Sequence, residues 1–98
     1  MKKLPIAPDQ LADLCRRHHI ERLSLFGSVL KGLDRSDSDV DLLVEFASGR
    51  EPGLLGLAAI EAELSALLDR RVDLRTPQDL SPHFRDEVAH SAEVQFAA

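Results

Sequence analysis

The sequence predicts a single small α/β (α+β) domain in which helices flank a small mixed β-sheet. Segments with helical spacing and short strand-like segments follow one another in the order α-β-β-α-β-α. Of the 98 residues, 44% are hydrophobic and 30% are charged, which is ordinary for a globular protein. A chain of this length is expected to form one domain, residues 1–98, with a thin core.

The N-terminal half begins with a helix and a strand. Asp9–His19 has apolar side chains at helical spacing. Glu21–Phe26 alternates apolar and polar residues, as a half-buried strand does. Gly27–Ser28 ends this strand, Val29–Lys31 fits one helical turn, and the polar segment Gly32–Ser38 is expected to be a loop.

The second half contains the clearest strand of the chain. In Val40–Phe46 every second side chain is apolar, which predicts one buried face. The periodic leucines of Leu54–Asp69 predict a helix. Val72–Arg75 fits a short strand, and Ser81–Pro82 is a typical start for a helix that runs to about residue 91. Val94–Phe96 is expected to form a final edge strand.

Charge and cysteine content limit the classes of function. The net charge is −5 and the basic residues are scattered, so direct binding of nucleic acid is disfavoured. No apolar run is long enough to predict a membrane span. The single Cys15 excludes an internal disulfide framework and suggests a cytoplasmic protein. A small anionic ligand held through metal ions fits better, because the metal supplies the missing positive charge.

Asp39 and Asp41 are expected to project from one face at the start of the clearest strand, with Cα atoms about 7 Å apart. Two carboxylates this close repel each other unless a cation lies between them. Magnesium takes oxygen ligands and is typically shared between carboxylates and substrate phosphates. Taken in isolation, however, an Asp-x-Asp pattern is more often a solvated strand end.

Two further features favour a site. Gly27–Ser28 lies between a strand and a helical turn, where a glycine allows close backbone approach and free N–H groups bind phosphate. Asp73 joins the aspartate pair if the three strands form one sheet, and three carboxylates can hold two magnesium ions about 4 Å apart. The alternatives are an ordinary turn at Gly27–Ser28 and an ion pair of Asp73 with Arg71 or Arg75.

Leu25–Ser28 and Asp39–Val44, separated by ten residues, together resemble the signature of the polymerase-β-like nucleotidyltransferase superfamily. Within it, the chain is similar to the minimal nucleotidyltransferases, the MntA-type antitoxins that pair with HEPN-domain toxins. The similarity covers nearly the whole chain, including Val72–Pro77 and Leu80–Asp86.

The resemblance implies a site and a reaction. Two Mg²⁺ ions are held by Asp39, Asp41 and Asp73, and the triphosphate of ATP is anchored at Gly27 and Ser28. Asp73 also helps to deprotonate the acceptor hydroxyl, which attacks the α-phosphorus while pyrophosphate leaves. In MntA-type systems the acceptor is a tyrosine of the HEPN toxin, a ribonuclease that adenylylation silences.

Two other functions stay open at this point. The chain could be a binding antitoxin that neutralises its partner by contact, or a nucleotidyltransferase for a small molecule or RNA. Lys31 and Arg35, in or near the loop between the two halves of the motif, could touch phosphate or be ordinary surface charges.

Overall fold

The computed structural model describes residues 4–27 and 39–98. Within these ranges it contains a four-stranded mixed sheet, three α-helices and one short 3₁₀ helix. In chain order the elements are α1 (Pro8–Arg17), β1 (Ile20–Phe26), β2 (Val40–Phe46), α2 (Leu54–Leu68), β3 (Val72–Arg75), the 3₁₀ helix (Pro77–Asp79), α3 (Pro82–Ser91) and β4 (Glu93–Ala97).

The predicted fold class is confirmed, with small differences at helix ends. Helix α1 ends at Arg17 and not at His19, because His19 has a left-handed backbone with φ of 58°. Helix α2 likewise ends before Asp69, whose φ is 52°. The turn predicted at Val29–Lys31 and the loop predicted at Gly32–Ser38 lie outside the described residues.

The strands lie in the order β3-β2-β1-β4, so β2 is flanked by both β1 and β3. β2 and β3 run parallel, whereas the other two pairs are antiparallel. Parallel neighbours need a crossover connection, and α2 provides it between β2 and β3. The predicted strand near the C-terminus is confirmed as β4, at the edge beside β1.

The main hydrophobic core lies between one face of the sheet and helices α1 and α2. Alternate residues of β2 face this core, as the sequence pattern predicts: Val40, Leu42 and Val44. The buried helix residues are Leu11, Leu14 and Cys15 of α1 and Ile60, Leu64 and Leu68 of α2. Among the described residues, no helix is both long and apolar enough to cross a membrane.

Among the described residues, the opposite face of the sheet carries a smaller apolar cluster, made by Phe26, Leu43, Leu80 and Val88. Helix α3 contributes Val88 to this cluster and so packs against part of the face. In the described part of the chain the two faces of β2 therefore differ, with a continuous core on one side and a smaller apolar cluster on the other.

The backbone of β3 is held in place from the side opposite β2. The Leu74 N–H donates to Glu61 Oε2 at 2.8 Å, and the Val72 N–H donates to Ser65 Oγ at 3.1 Å. Both acceptors belong to α2. These bonds satisfy N–H groups that an edge strand otherwise leaves unpaired, and they fix Asp73, between the two donors, in its position beside β2.

Candidate active site

A cleft of about 390 Å³ lies between α3 and the partly covered face of the sheet. It opens where β1 ends and where β2 and β3 begin. The lining residues are Phe26, Gly27, Asp41, Asp73, Arg75, Asp79, Leu80, Ser81, Phe84, Glu87, Val88 and Ser91. Three of the residues that the sequence predicts for the site, Gly27, Asp41 and Asp73, are therefore brought together in one cleft.

Asp41 and Asp73 occupy adjacent register positions on the parallel strands β2 and β3. The residues before and after each of them point into the main core, so both aspartates face the other side, toward the cleft. On its other flank Asp41 pairs with Phe26, the last residue of β1. Asp39 directly precedes β2 and is exposed.

Burial and two neighbouring carboxylates disfavour the ionised form of Asp41. Partial burial, the charge of Asp73 and the charge of Asp39, in that order of size, raise the pKa of the Asp41 carboxyl. The Arg75 guanidinium acts in the opposite direction and lowers that pKa. Repulsion of this kind is what a bound cation relieves.

Asp73 has a counter-ion within the protein. Arg75 Nε donates to Asp73 Oδ1 at 3.1 Å, and Arg75 Nη2 donates to Asp73 Oδ2 at 3.2 Å. The ion pair with Arg75 and a place in the cleft therefore occur together. From the sequence, Arg75 was expected only as an alternative ion-pair partner of Asp73, although a spacing of two residues on a strand indicates that both lie on the same face.

The donor chemistry of the three aspartates fits magnesium, which prefers carboxylate oxygens. However, no three acidic, histidine or cysteine side chains in the described part of the chain are arranged to hold one metal ion together. Ligation by Asp39, Asp41 and Asp73 would need their carboxylates to turn toward one point. Arg75 already contacts both oxygens of Asp73 and would compete with a metal for them.

Gly27 is needed where β1 runs into the cleft. Its φ of 81° lies in the left-handed region that side chains disfavour. A Cβ atom at this position would also overlap Asp41 Oδ2 and lie 2.9 Å from Asp41 Cγ. The backbone thus passes directly against the carboxylate. Ser28, Lys31 and Arg35 lie outside the described residues. The predicted contact of Ser28 with phosphate stays a prediction, and the choice between a phosphate contact and surface charge for Lys31 and Arg35 stays open.

Helix α3 forms one wall of the cleft, a position that the sequence did not predict. Arg85 fixes this helix to the preceding turn, because its guanidinium donates to the carbonyls of Pro77 at 2.7 Å and Leu80 at 3.1 Å. One face of the helix then lines the cleft with Phe84, Glu87 and Ser91. Their spacing indicates a shared helix face, but no local pattern shows that this face meets the aspartates.

Comparison with known proteins supports the enzyme class. The family described as "Nucleotidyltransferase domain" matches residues 8–94. A protein of Methanocaldococcus jannaschii, provisionally named a protein adenylyltransferase, is 34% identical over 76 residues, which are 78% of this chain and 80% of the relative.

Two solved structures share the fold. One, described as a provisionally assigned minimal nucleotidyltransferase, is 41% identical, with a TM-score of 0.72 over 87% of this chain and 85% of the other. The second is a tri-AMPylated HEPN toxin of Shewanella oneidensis in complex with an MNT antitoxin. Its matching chain has a TM-score of 0.66 and 19% identity, and the match covers 93% of this chain and 70% of the other.

Because a Cβ atom at position 27 would overlap the Asp41 carboxylate, we expect Gly27→Ala to lose more stability than a comparable glycine substitution elsewhere. Gly27→Ala and Gly49→Ala both place an alanine at positive φ, at a cost of about 1–2 kcal/mol each. A Cβ at Gly49 meets no atom within 4 Å. We expect Gly27→Ala to lower the free energy of unfolding by about 1 kcal/mol more than Gly49→Ala. Urea unfolding measures both, and equal losses would contradict the overlap.

The raised pKa of Asp41 predicts that Asp41→Asn stabilises the metal-free protein. Ionised Asp41 costs stability at neutral pH, because its carboxyl is partly buried and lies near two other carboxylates. We expect a higher melting temperature in EDTA at pH 7. The gain should shrink as the pH falls through the raised pKa, where wild-type Asp41 is also neutral.

Asp86→Asn is the matched control, since it removes an exposed carboxylate from α3 outside the cleft lining. Thermal unfolding followed by circular dichroism over a pH series makes the comparison. A decrease in the melting temperature of Asp41→Asn at pH 7 would show that the carboxylate cluster does not strain the fold.

Proposed function

Because the chain belongs to the nucleotidyltransferase domain family, we propose that this nucleotidyltransferase is an antitoxin that transfers AMP from ATP to a HEPN-family toxin. We further propose that it acts as a single domain, residues 1–98. The observation that carries the proposal is the adjacent placement of Asp41 and Asp73 in a cleft whose edge is formed by Gly27.

The nucleotide has a defined place in this proposal. The triphosphate lies at Gly27 and Ser28, where backbone N–H groups would donate hydrogen bonds to the phosphates. Two magnesium ions, held by Asp39, Asp41 and Asp73, would neutralise the phosphate charge and stabilise the attacking and leaving oxygens. The carboxylate donors and the repulsion that raises the pKa of Asp41 support this assignment.

In the proposed reaction Asp73 is the general base. The acceptor hydroxyl gives its proton to Asp73 and attacks the α-phosphorus. A new P–O bond forms to the acceptor, and the bond between the α-phosphorus and the bridging oxygen breaks, so that pyrophosphate leaves. Asp73 suits this task because it lines the cleft beside Asp41.

The acceptor in this proposal is a tyrosine of the toxin. The sequence itself contains no tyrosine, so a tyrosine acceptor must lie outside these 98 residues. Support comes from the resemblance to MntA-type antitoxins and from the Shewanella oneidensis complex, in which the HEPN toxin carries AMP groups. The relative from Methanocaldococcus jannaschii is provisionally named a protein adenylyltransferase, which is an enzyme that transfers AMP to a protein.

Transfer of labelled AMP tests the function directly. Wild-type protein, ATP labelled at the α-phosphate, Mg²⁺ and a candidate HEPN-domain toxin are incubated together, and the label on the toxin is measured. We expect Asp41→Asn to reduce the transfer rate at least about hundredfold, because a metal ligand is lost. Asp86→Asn should keep the wild-type rate.

Other outcomes would overturn the proposal. Neutralisation of the toxin by Asp41→Asn, with no label transferred by the wild type, would identify an antitoxin that acts by contact. Transfer of label to RNA or to a small molecule, and not to the toxin, would identify a different acceptor.

A further inference from the structure

Arg75 stands out in the charge distribution of the cleft. Among the described residues that line it, Arg75 is the only lysine or arginine, whereas four are acidic: Asp41, Asp73, Asp79 and Glu87. A nucleoside triphosphate carries several negative charges and is repelled by such a surface. A cationic side chain at this point is therefore important for any polyphosphate that enters.

The contacts of Arg75 place it among the aspartates. Its guanidinium makes the two hydrogen bonds to Asp73 described above, at 3.1 and 3.2 Å. Its charge also acts on Asp41 and interacts with that of Asp79. The Arg75 side chain is 48% exposed, so electrostatic attraction holds it and not tight packing. Such a side chain can exchange one partner for another at small cost.

We propose that Arg75 neutralises Asp73 in the nucleotide-free protein and that a divalent cation displaces it, after which the freed guanidinium binds the triphosphate. This inference rests on the proposed function and deepens it. The planar guanidinium suits both partners, because carboxylate and phosphate each accept a pair of hydrogen bonds from it. The Asp73–Arg75 ion pair is then an internal substitute for the metal.

We call this replacement of Arg75 by a cation at Asp73 the exchange. It predicts that Arg75→Met changes the affinities for metal and for nucleotide in opposite directions. Without nucleotide, the variant should bind Mn²⁺ about tenfold more tightly than the wild type, because no guanidinium competes for Asp73. In the presence of metal, it should bind a non-hydrolysable ATP analogue about tenfold more weakly, because a phosphate contact is lost. Electron paramagnetic resonance of free Mn²⁺ and calorimetry of the analogue measure the two affinities.

Arg22→Met is the matched control, since it removes the same charge from the same sheet. Arg22 lies on β1 outside the cleft lining and pairs with Glu45 at 3.7 Å. We expect both affinities of this variant to stay within about twofold of the wild type, because exposed ion pairs contribute little. Arg75→Lys keeps the charge but loses the paired hydrogen bonds, and should fall between the wild type and Arg75→Met. It also serves if Arg75→Met does not fold.

The outcomes separate this inference from the proposed function. If the wild type transfers AMP and the Arg75 variants match Arg22→Met in both affinities, the exchange is wrong and the function stands. Weaker binding of both Mn²⁺ and the analogue by the Arg75 variants would show a merely structural role and also overturn the exchange. If the wild type binds neither ligand, both proposals fail.

Discussion

The parallel pairing of β2 with β3 puts Asp41 directly beside Asp73, and two carboxylates in this arrangement repel each other. The pairing persists because the residues on either side of each aspartate are buried in the main core. Burial of that apolar face outweighs the local repulsion on the other face. The hydrogen bonds from β3 to Glu61 and Ser65 also hold the strand in this register. Electrostatic strain of this kind is typical of functional sites.

Local rules of side-chain alternation were sufficient to predict much of this arrangement. The exact bounds of β2 and β3 and the buried face of β2 follow from a period of two residues. The start of α3 follows from a serine cap and a proline at the first helical position. The bounds of α1 and α2 were less exact, since His19 and Asp69 adopt left-handed backbones that their residue types do not require.

The rest of the site depends on contacts between distant parts of the chain. The strand order brings Gly27 against Asp41, and no local pattern reveals that a Cβ at Gly27 would overlap this carboxylate. The bidentate contact of Arg75 with Asp73 and the position of α3 over the cleft are also tertiary features. They change the predicted three-carboxylate site into a cleft with its own counter-ion and a helical wall.

We propose that metal and nucleotide bind together in the cleft between β2, β3 and α3. Paramagnetic broadening of the backbone amide signals by Mn²⁺, in the presence of an ATP analogue, maps that position in solution. We expect the strongest broadening at Gly27, Asp41 and Asp73. Broadening centred instead on the acidic residues Asp13 of α1 and Glu63 of α2 would show that the metal binds elsewhere.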